Sequence, residues 1–184
     1  MQKLQILQSS VNTKLSELPK KHLLIDTNFL IDAARYTAQF KELLETLRRS
    51  GFTLVSIDAT LVEFVKGSKS IEDYSKKVKF YKSIIEQILP FDSTIRNHVS
   101  DITRALLKKG GQLSYADCLL LGAVMKYESS LYLLTKDRSD IPVSIFNPVA
   151  SIIIETSDNN CTFNIYEYNE KAYKDLLITL VGDN

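Results

Sequence analysis

Histidine is scarce in this 184-residue chain, which holds only His22 and His98. Two are too few for a histidine metal cluster, and they offer no partner for a serine or cysteine hydrolase. Cysteine is equally thin: Cys118 sits in an apolar helical pattern and Cys161 in a polar loop, far apart in the chain. That spacing is neither a disulfide framework nor a zinc site, and it suits a reducing compartment. None of the 6 glycines forms a Gly-rich turn after the first apolar run, which leads instead into Thr27-Asn28-Phe29. A P-loop or dinucleotide-binding turn is thereby excluded. No apolar run approaches the ~20 residues that span a bilayer. The opening MQKLQILQSS lacks the compact apolar stretch and small residues of a signal peptide. The expectation is a soluble, cytoplasmic protein with no membrane partner. Excess charge is missing too: 23 Lys plus Arg stand against 22 Asp plus Glu, a net of +1. Nothing global advertises a nucleic-acid partner, although contact with a few phosphates needs only a local basic patch.

What is present is an ordinary globular balance, 45% hydrophobic and 24% charged, long enough for one domain with an appendage. Residues 3–17 carry Leu4, Ile6, Leu7, Val11 and Leu15 at a loose helical spacing. His22-Leu-Leu-Ile25, ending in Asp26, reads as a buried strand, as do Phe52–Ile57 and Leu131–Thr135, with Val143–Phe146 a weaker fourth. Between them lie helical patterns over 28–34, 38–49, 58–65, 70–88, 94–108 and 115–127, with Asp58 a candidate cap and Gly110-Gly111 a stop. On the 70–88 stretch Tyr74, Val78, Tyr81, Ile84 and Ile88 recur at three and four, predicting a core stripe that includes Tyr74. Strands alternating with helices predict an α/β fold, a three-layer α/β/α sandwich around a mainly parallel sheet. Beyond Asn147, Ser151–Glu155 and Thr162–Tyr166 flank the polar Ser157-Asp-Asn-Asn160, and a last helix runs over about 170–181. The expected organisation is a domain over 1–146 with an N-terminal helix, and a C-terminal extension over 147–184, hairpin plus helix, packed on or near it.

In an open parallel sheet, sites form at the carboxyl ends of the strands. Acids stand there: Asp26 after the first strand, Glu63 one turn into the helix after the second, Asp137 and Asp140 after Leu131–Thr135. Asp117 opens the helix before that strand and shares a stripe with Leu120, Leu121 and Val124. A carboxylate facing a core is costly unless compensated, and neighbouring acids only raise one another's pKa. Divalent cations held through oxygen, Mg²⁺ or Mn²⁺, would compensate it. Each acid also has a plainer reading. Asp26 can cap the next helix, Glu63 can be a surface acid, Ser114–Asp117 is a capping-box pattern, and aspartates such as Asp137 and Asp140 are common in turns.

The runs Leu23-Leu-Ile-Asp26-Thr-Asn28-Phe-Leu30, Leu61-Val-Glu63-Phe64, Tyr115-Ala-Asp117-Cys-Leu119 and Leu133-Leu-Thr135-Lys-Asp137-Arg-Ser-Asp140 together resemble the motifs of PIN-domain ribonucleases, the family of the VapC-like toxins, over about residues 22–146. The resemblance implies a metal-dependent endoribonuclease in which Asp26, Glu63, Asp117 and Asp137 are catalytic and, with Asp140, hold one or two Mg²⁺ (or Mn²⁺) ions. Either Asp137 or Asp140 can be the fourth ligand. It further implies Asn28 and Thr135 orienting ligands or touching phosphate, Lys66, Lys136 and Arg138 holding RNA, a homodimer, and, for a toxin, an antitoxin partner laid across the site. The chain is longer than is usual for that toxin type. A haloacid-dehalogenase phosphatase would need Asp where Asn28 stands. The competing non-enzyme reading is an inactive PIN-like scaffold that binds RNA or protein.

Overall fold

A computed structural model describes residues 4–7, 15–107, 113–139, 141–158 and 160–182. Its centre is built by short apolar runs. In β2 (His22–Ile25) the side chains of Leu23, Leu24 and Ile25 are all fully buried. Such a run suits a strand covered on both faces, because successive side chains point to opposite sides. Leu23 and Ile25 enter one core and Leu24 the other. β3 (Thr53–Ser56) and β5 (Leu131–Thr135) follow the same rule. β2 pairs in parallel with both, and β3 pairs in parallel with the two-residue β4 (Gln87–Ile88).

The C-terminal part supplies β6 (Phe146–Glu155) and β7 (Asn160–Tyr168), an antiparallel hairpin whose β7 pairs antiparallel with β5. Outermost, β1 (Leu4–Leu7) pairs antiparallel with β6, and the seven strands run in the order β1-β6-β7-β5-β2-β3-β4. β6 therefore points the same way as β5, so β2 to β6 are parallel in direction and β1 and β7 oppose them. The hairpin is part of the central sheet.

Helices cover both faces. On one lie α1 (Thr27–Arg35), α2 (Thr37–Arg49) and α4 (Ile71–Ile84), over a core that includes the edge-to-face rings Phe29, Phe40 and Phe163 at centroid separations of 5.1, 5.2 and 5.8 Å. On the other lie α5 (Ser93–Leu107), α6 (Tyr115–Lys126) and α7 (Glu170–Gly182). α3 (Asp58–Lys66) follows β3. α5 and α6 approach closely at Gly122, where a Cβ would lie 3.1 Å from the Ile95 carbonyl oxygen and 3.2 Å from Val99 Cγ2. Among the described residues, no helix is long and apolar enough to cross a membrane.

Several sequence expectations are corrected. Leu4–Leu7 is a strand, not the start of an N-terminal helix, because the outer edge of β6 offers backbone partners from Ser151 to Ile154. Asp58 does not cap α3: Ile57 is the N-cap, no side chain caps the helix, and Asp58 occupies its first turn. α4 stops at Ile84 rather than 88, because the edge of β3 captures the chain: the Glu86 and Leu89 N–H groups donate to the Leu54 and Ser56 carbonyls, each at 2.8 Å. The first half of α4 consequently stands off the core, and Tyr74 is 48% exposed. Residues 143–145 form a turn after Pro142, and β6 begins only at Phe146. β6 then bulges between Pro148 and Ala150, where proline has no N–H to donate. The helix stop at Gly110-Gly111 lies outside the described residues.

Candidate active site

The carboxyl ends of β2, β3 and β5 open on the same end of the sheet because the three strands are parallel. Asp26 leaves β2 and becomes the N-cap of α1, its Oδ1 accepting the Thr27 N–H at 2.5 Å. Its backbone N–H still donates to the Leu134 carbonyl of β5, which fixes the carboxyl beside the end of that strand. Thr135 Oγ1 donates to Asp26 Oδ2 at 2.6 Å, and Asn28 Nδ2 donates to the same oxygen at 2.6 Å. The Asn28 amide also reaches Asp137 Oδ2 at 2.9 Å, and the Asp137 N–H donates to Thr135 Oγ1 at 3.1 Å. Asn28 and Thr135 thus lock Asp26 and Asp137 into one network.

Asp117 arrives from α6. It completes the capping box with Ser114, accepting from the Ser114 N–H at 3.1 Å and the Ser114 hydroxyl at 2.5 Å. The plainer reading of this residue is therefore real, but it is not exclusive: the Asp117 side chain also lines a small cavity with Asp26, Asp137, Thr135, Leu120 and Leu133. Glu63 joins from α3 through the Thr27 hydroxyl, which donates to Glu63 Oε2 at 2.5 Å. Glu63 is exposed and does not line the cavity.

Burial dominates the electrostatics of Asp26, which is only 6% exposed. Desolvation pushes its carboxyl up to about 6, the hydrogen bonds from Thr135 and Thr27 pull against this, and the negative charges of Asp117 and Asp137 push it further up. The donors around the cavity are hard carboxylate oxygens, and the buried one is destabilised by its like-charged neighbours. That donor chemistry fits Mg²⁺ or Mn²⁺. The ligand set is not closed: among the described residues, no group of three or more His, Cys, Asp or Glu converges to hold a metal ion.

The model of the PIN domain matches residues 23–140, well over half of the chain, and its span takes in Asp26, Glu63, Asp117 and Asp137. This chain belongs to the PIN domain family. The fold of this PIN domain is similar to that of a chain in VapBC2 from Rickettsia felis, solved bound to a DNA fragment from its promoter, at a TM-score of 0.52 and 21% identity, covering 60% of this chain and 85% of the other. A chain of DNA-bound VapBC from Salmonella typhimurium gives a TM-score of 0.48 and 21% identity, covering 60% and 83%. No curated protein matches.

In this PIN domain the structure brings Asp26, Asp117 and Asp137 to one cavity and connects Glu63 through Thr27. Asp140 lies outside the described residues. The residues read as touching substrate are differently engaged. Asn28 and Thr135 hold carboxylates. Lys136 Nζ forms an ion pair with Asp32 at 2.9 Å, and Arg138 donates to Asn164 Oδ1 at 3.3 Å. Lys66 is exposed at the end of α3, and among the described residues no hydrogen bond or ion pair ties it to the acids.

Sequence reasoning missed Thr27, Asp32 and Asn164. Asp32 is only 7% exposed and lies four residues after Asn28, on the same face of α1, a spacing visible in the sequence. Asn164 stands opposite Thr135 in the β5–β7 register, which no local pattern reveals.

Proposed function

We propose that this PIN domain is a metal-dependent endoribonuclease. The observation that carries this reading is the shared cavity: three acids from distant segments, Asp26, Asp117 and Asp137, line it, and the most buried of them is held up at about 6 by burial and by the other two. A site that raises the cost of its own charge is organised for a cation rather than for stability. Asp26, Asp117 and Asp137 would hold Mg²⁺ or Mn²⁺, with Glu63 and Asp140 completing the set directly or through water. When bound, such an ion lowers the pKa of water and offsets charge on the leaving oxygen of a phosphodiester. Asn28 and Thr135 hold the Asp26 and Asp137 carboxylates at the cavity, and Thr27, whose N–H donates to Asp26 and whose hydroxyl donates to Glu63, ties Glu63 to them. No side chain need act as a covalent nucleophile.

The biological setting proposed with it is a cytoplasmic toxin restrained by an antitoxin segment lying across the site, and a homodimer. The likeness of fold to the Rickettsia felis VapBC2 chain supports the antitoxin partner in this setting; the cytoplasmic location and the homodimer are proposed from the resemblance of the motifs alone. The rival, an inactive scaffold for RNA or protein, draws on the ligand set that is not closed. One experiment separates them. RNA cleavage is measured with Mn²⁺, with EDTA and in Asp26→Asn, alongside calorimetric titration of Mn²⁺. Cleavage should disappear in EDTA and fall by about 100-fold or more in Asp26→Asn, with Mn²⁺ binding weakened in parallel. Cleavage that survives both changes overturns the metal mechanism, and absence of both Mn²⁺ binding and cleavage in the unmodified chain supports the scaffold.

A further inference from the structure

The hairpin beyond residue 140 touches the site through one polar row. Thr135 of β5 is paired with Asn164 of β7, and Asn164 with Ser151 of β6, so the three side chains stand side by side on one face of the sheet. Thr135 lines the acid cavity, and the row runs outward from it. Asn164 is 3% exposed, which makes its hydrogen bonding consequential. Its Oδ1 accepts the Ser151 hydroxyl at 2.7 Å and the Arg138 guanidinium at 3.3 Å. Its buried Nδ2 has no partner. The Ser151 hydroxyl could serve either amide orientation, but the Arg138 guanidinium can only donate, and it sets Oδ1 toward itself and leaves the N–H₂ unmatched.

Arg138 follows Asp137 directly, and its side chain is exposed. Among the described residues, no carboxylate forms a salt bridge with it, whereas Lys136, on the other side of Asp137, is neutralised by Asp32. A cation held by a neutral amide keeps its full charge for a ligand. The Tyr166 hydroxyl, raised by burial, is pulled back down by Arg138, as expected of a guanidinium lying over the hairpin. A planar fork held in place beside the acid cavity is suited to a phosphodiester oxygen.

We propose that Arg138, held by Asn164 of the β6–β7 hairpin, whose amide Ser151 in turn holds, forms a phosphate-binding subsite beside the acid cavity, which takes the backbone of single-stranded RNA next to the bond that is cut. Arg138 is the binding residue, and Asn164 and Ser151 are positioning residues. The subsite rests on the ribonuclease reading, and the test separates the two.

Binding of a labelled single-stranded RNA of mixed sequence is followed by anisotropy in EDTA against salt, for the full chain and for Arg138→Gln, Arg138→Lys, Asn164→Leu and the double variant Arg138→Gln/Asn164→Leu. Arg138→Gln should weaken binding by about five- to tenfold and lower the slope of log K against log salt by about 0.7. Arg138→Lys should restore the slope but not the full affinity. Asn164→Leu should weaken binding without lowering the melting temperature, and the double variant should bind no worse than Arg138→Gln alone. In cleavage assays Arg138→Gln should raise KM while kcat and Mn²⁺ binding stay unchanged. Unaltered affinity and slope in Arg138→Gln overturn the subsite and leave the nuclease standing. Additive losses in the double variant overturn the positioning by Asn164. An unmodified chain that binds no RNA overturns both.

Discussion

Asp26, 6% exposed, is the most buried of the acids that line the cavity. Asp26 moves from an ordinary 3.8 to about 6, chiefly through burial. An acid whose folded pKa is raised favours the folded state while protonated, and that contribution is lost as pH rises from about 4 through about 6. The size is on the order of 3 kcal/mol, since each pKa step is worth about 1.4 kcal/mol. In EDTA, the melting temperature of Asp26→Asn relative to the unmodified chain should therefore climb between pH 4 and pH 7. At pH 7.5 the variant should melt several degrees higher, at roughly 2–4 °C per kcal/mol for a chain of this size. A variant that melts lower than its parent at pH 7.5 would contradict this origin of the shift. The residues that carry this electrostatics were legible as acids behind apolar runs. What escaped was their support. Asp32 looked like one more polar residue on a helix, and the partnership of Arg138 with Asn164 exists only through a strand register set 26 residues away in sequence.

Elements were most legible where one pattern had one use. β2 and β5 are uninterrupted apolar runs, and such runs are buried on both sides of a parallel sheet. Legibility failed where tertiary contact overrode pattern. The helical spacing of Leu4, Ile6 and Leu7 yielded to the hydrogen bonds available along β6. The periodic stripe of α4 continued in sequence into Ile88, but the edge of β3 drew residues 86–89 out of the helix and left Tyr74 in solvent. The α5–α6 seam is a contact of the same kind, silent in sequence apart from a glycine. The atom nearest a Cβ at residue 122 is the Ile95 backbone oxygen, at 3.1 Å, which cannot swing aside as a side chain can. Gly122→Val should therefore destabilise the fold by about 1–3 kcal/mol, read as a lower urea midpoint at unchanged m. Since α6 carries Asp117, Mn²⁺ affinity should fall with it. A wild-type midpoint would show that the two helices separate freely.

At the scale of the whole molecule, the layered α/β plan follows from alternating strands and helices, but the role of the last forty residues does not. A segment that reads in sequence as an extension supplies two strands that lie between β5 and β1. Phe146, Phe163 and Ile165 are fully buried within the two cores. A chain ending after residue 145 should accordingly fail to fold. It should lack a cooperative thermal transition in circular dichroism and elute as an aggregate, whereas a stable monomer would show that the hairpin is dispensable. The sheet is closed off by its own sequence on both flanks: the outermost strands are β1, four residues, and β4, two residues. Edges this short leave little of their own backbone for a foreign chain to copy. β6 reaches past β1 with residues 146–150, and there Pro148 and the bulge beside it break the regular ladder that an added strand would need, so the flank resists extension where it is not covered.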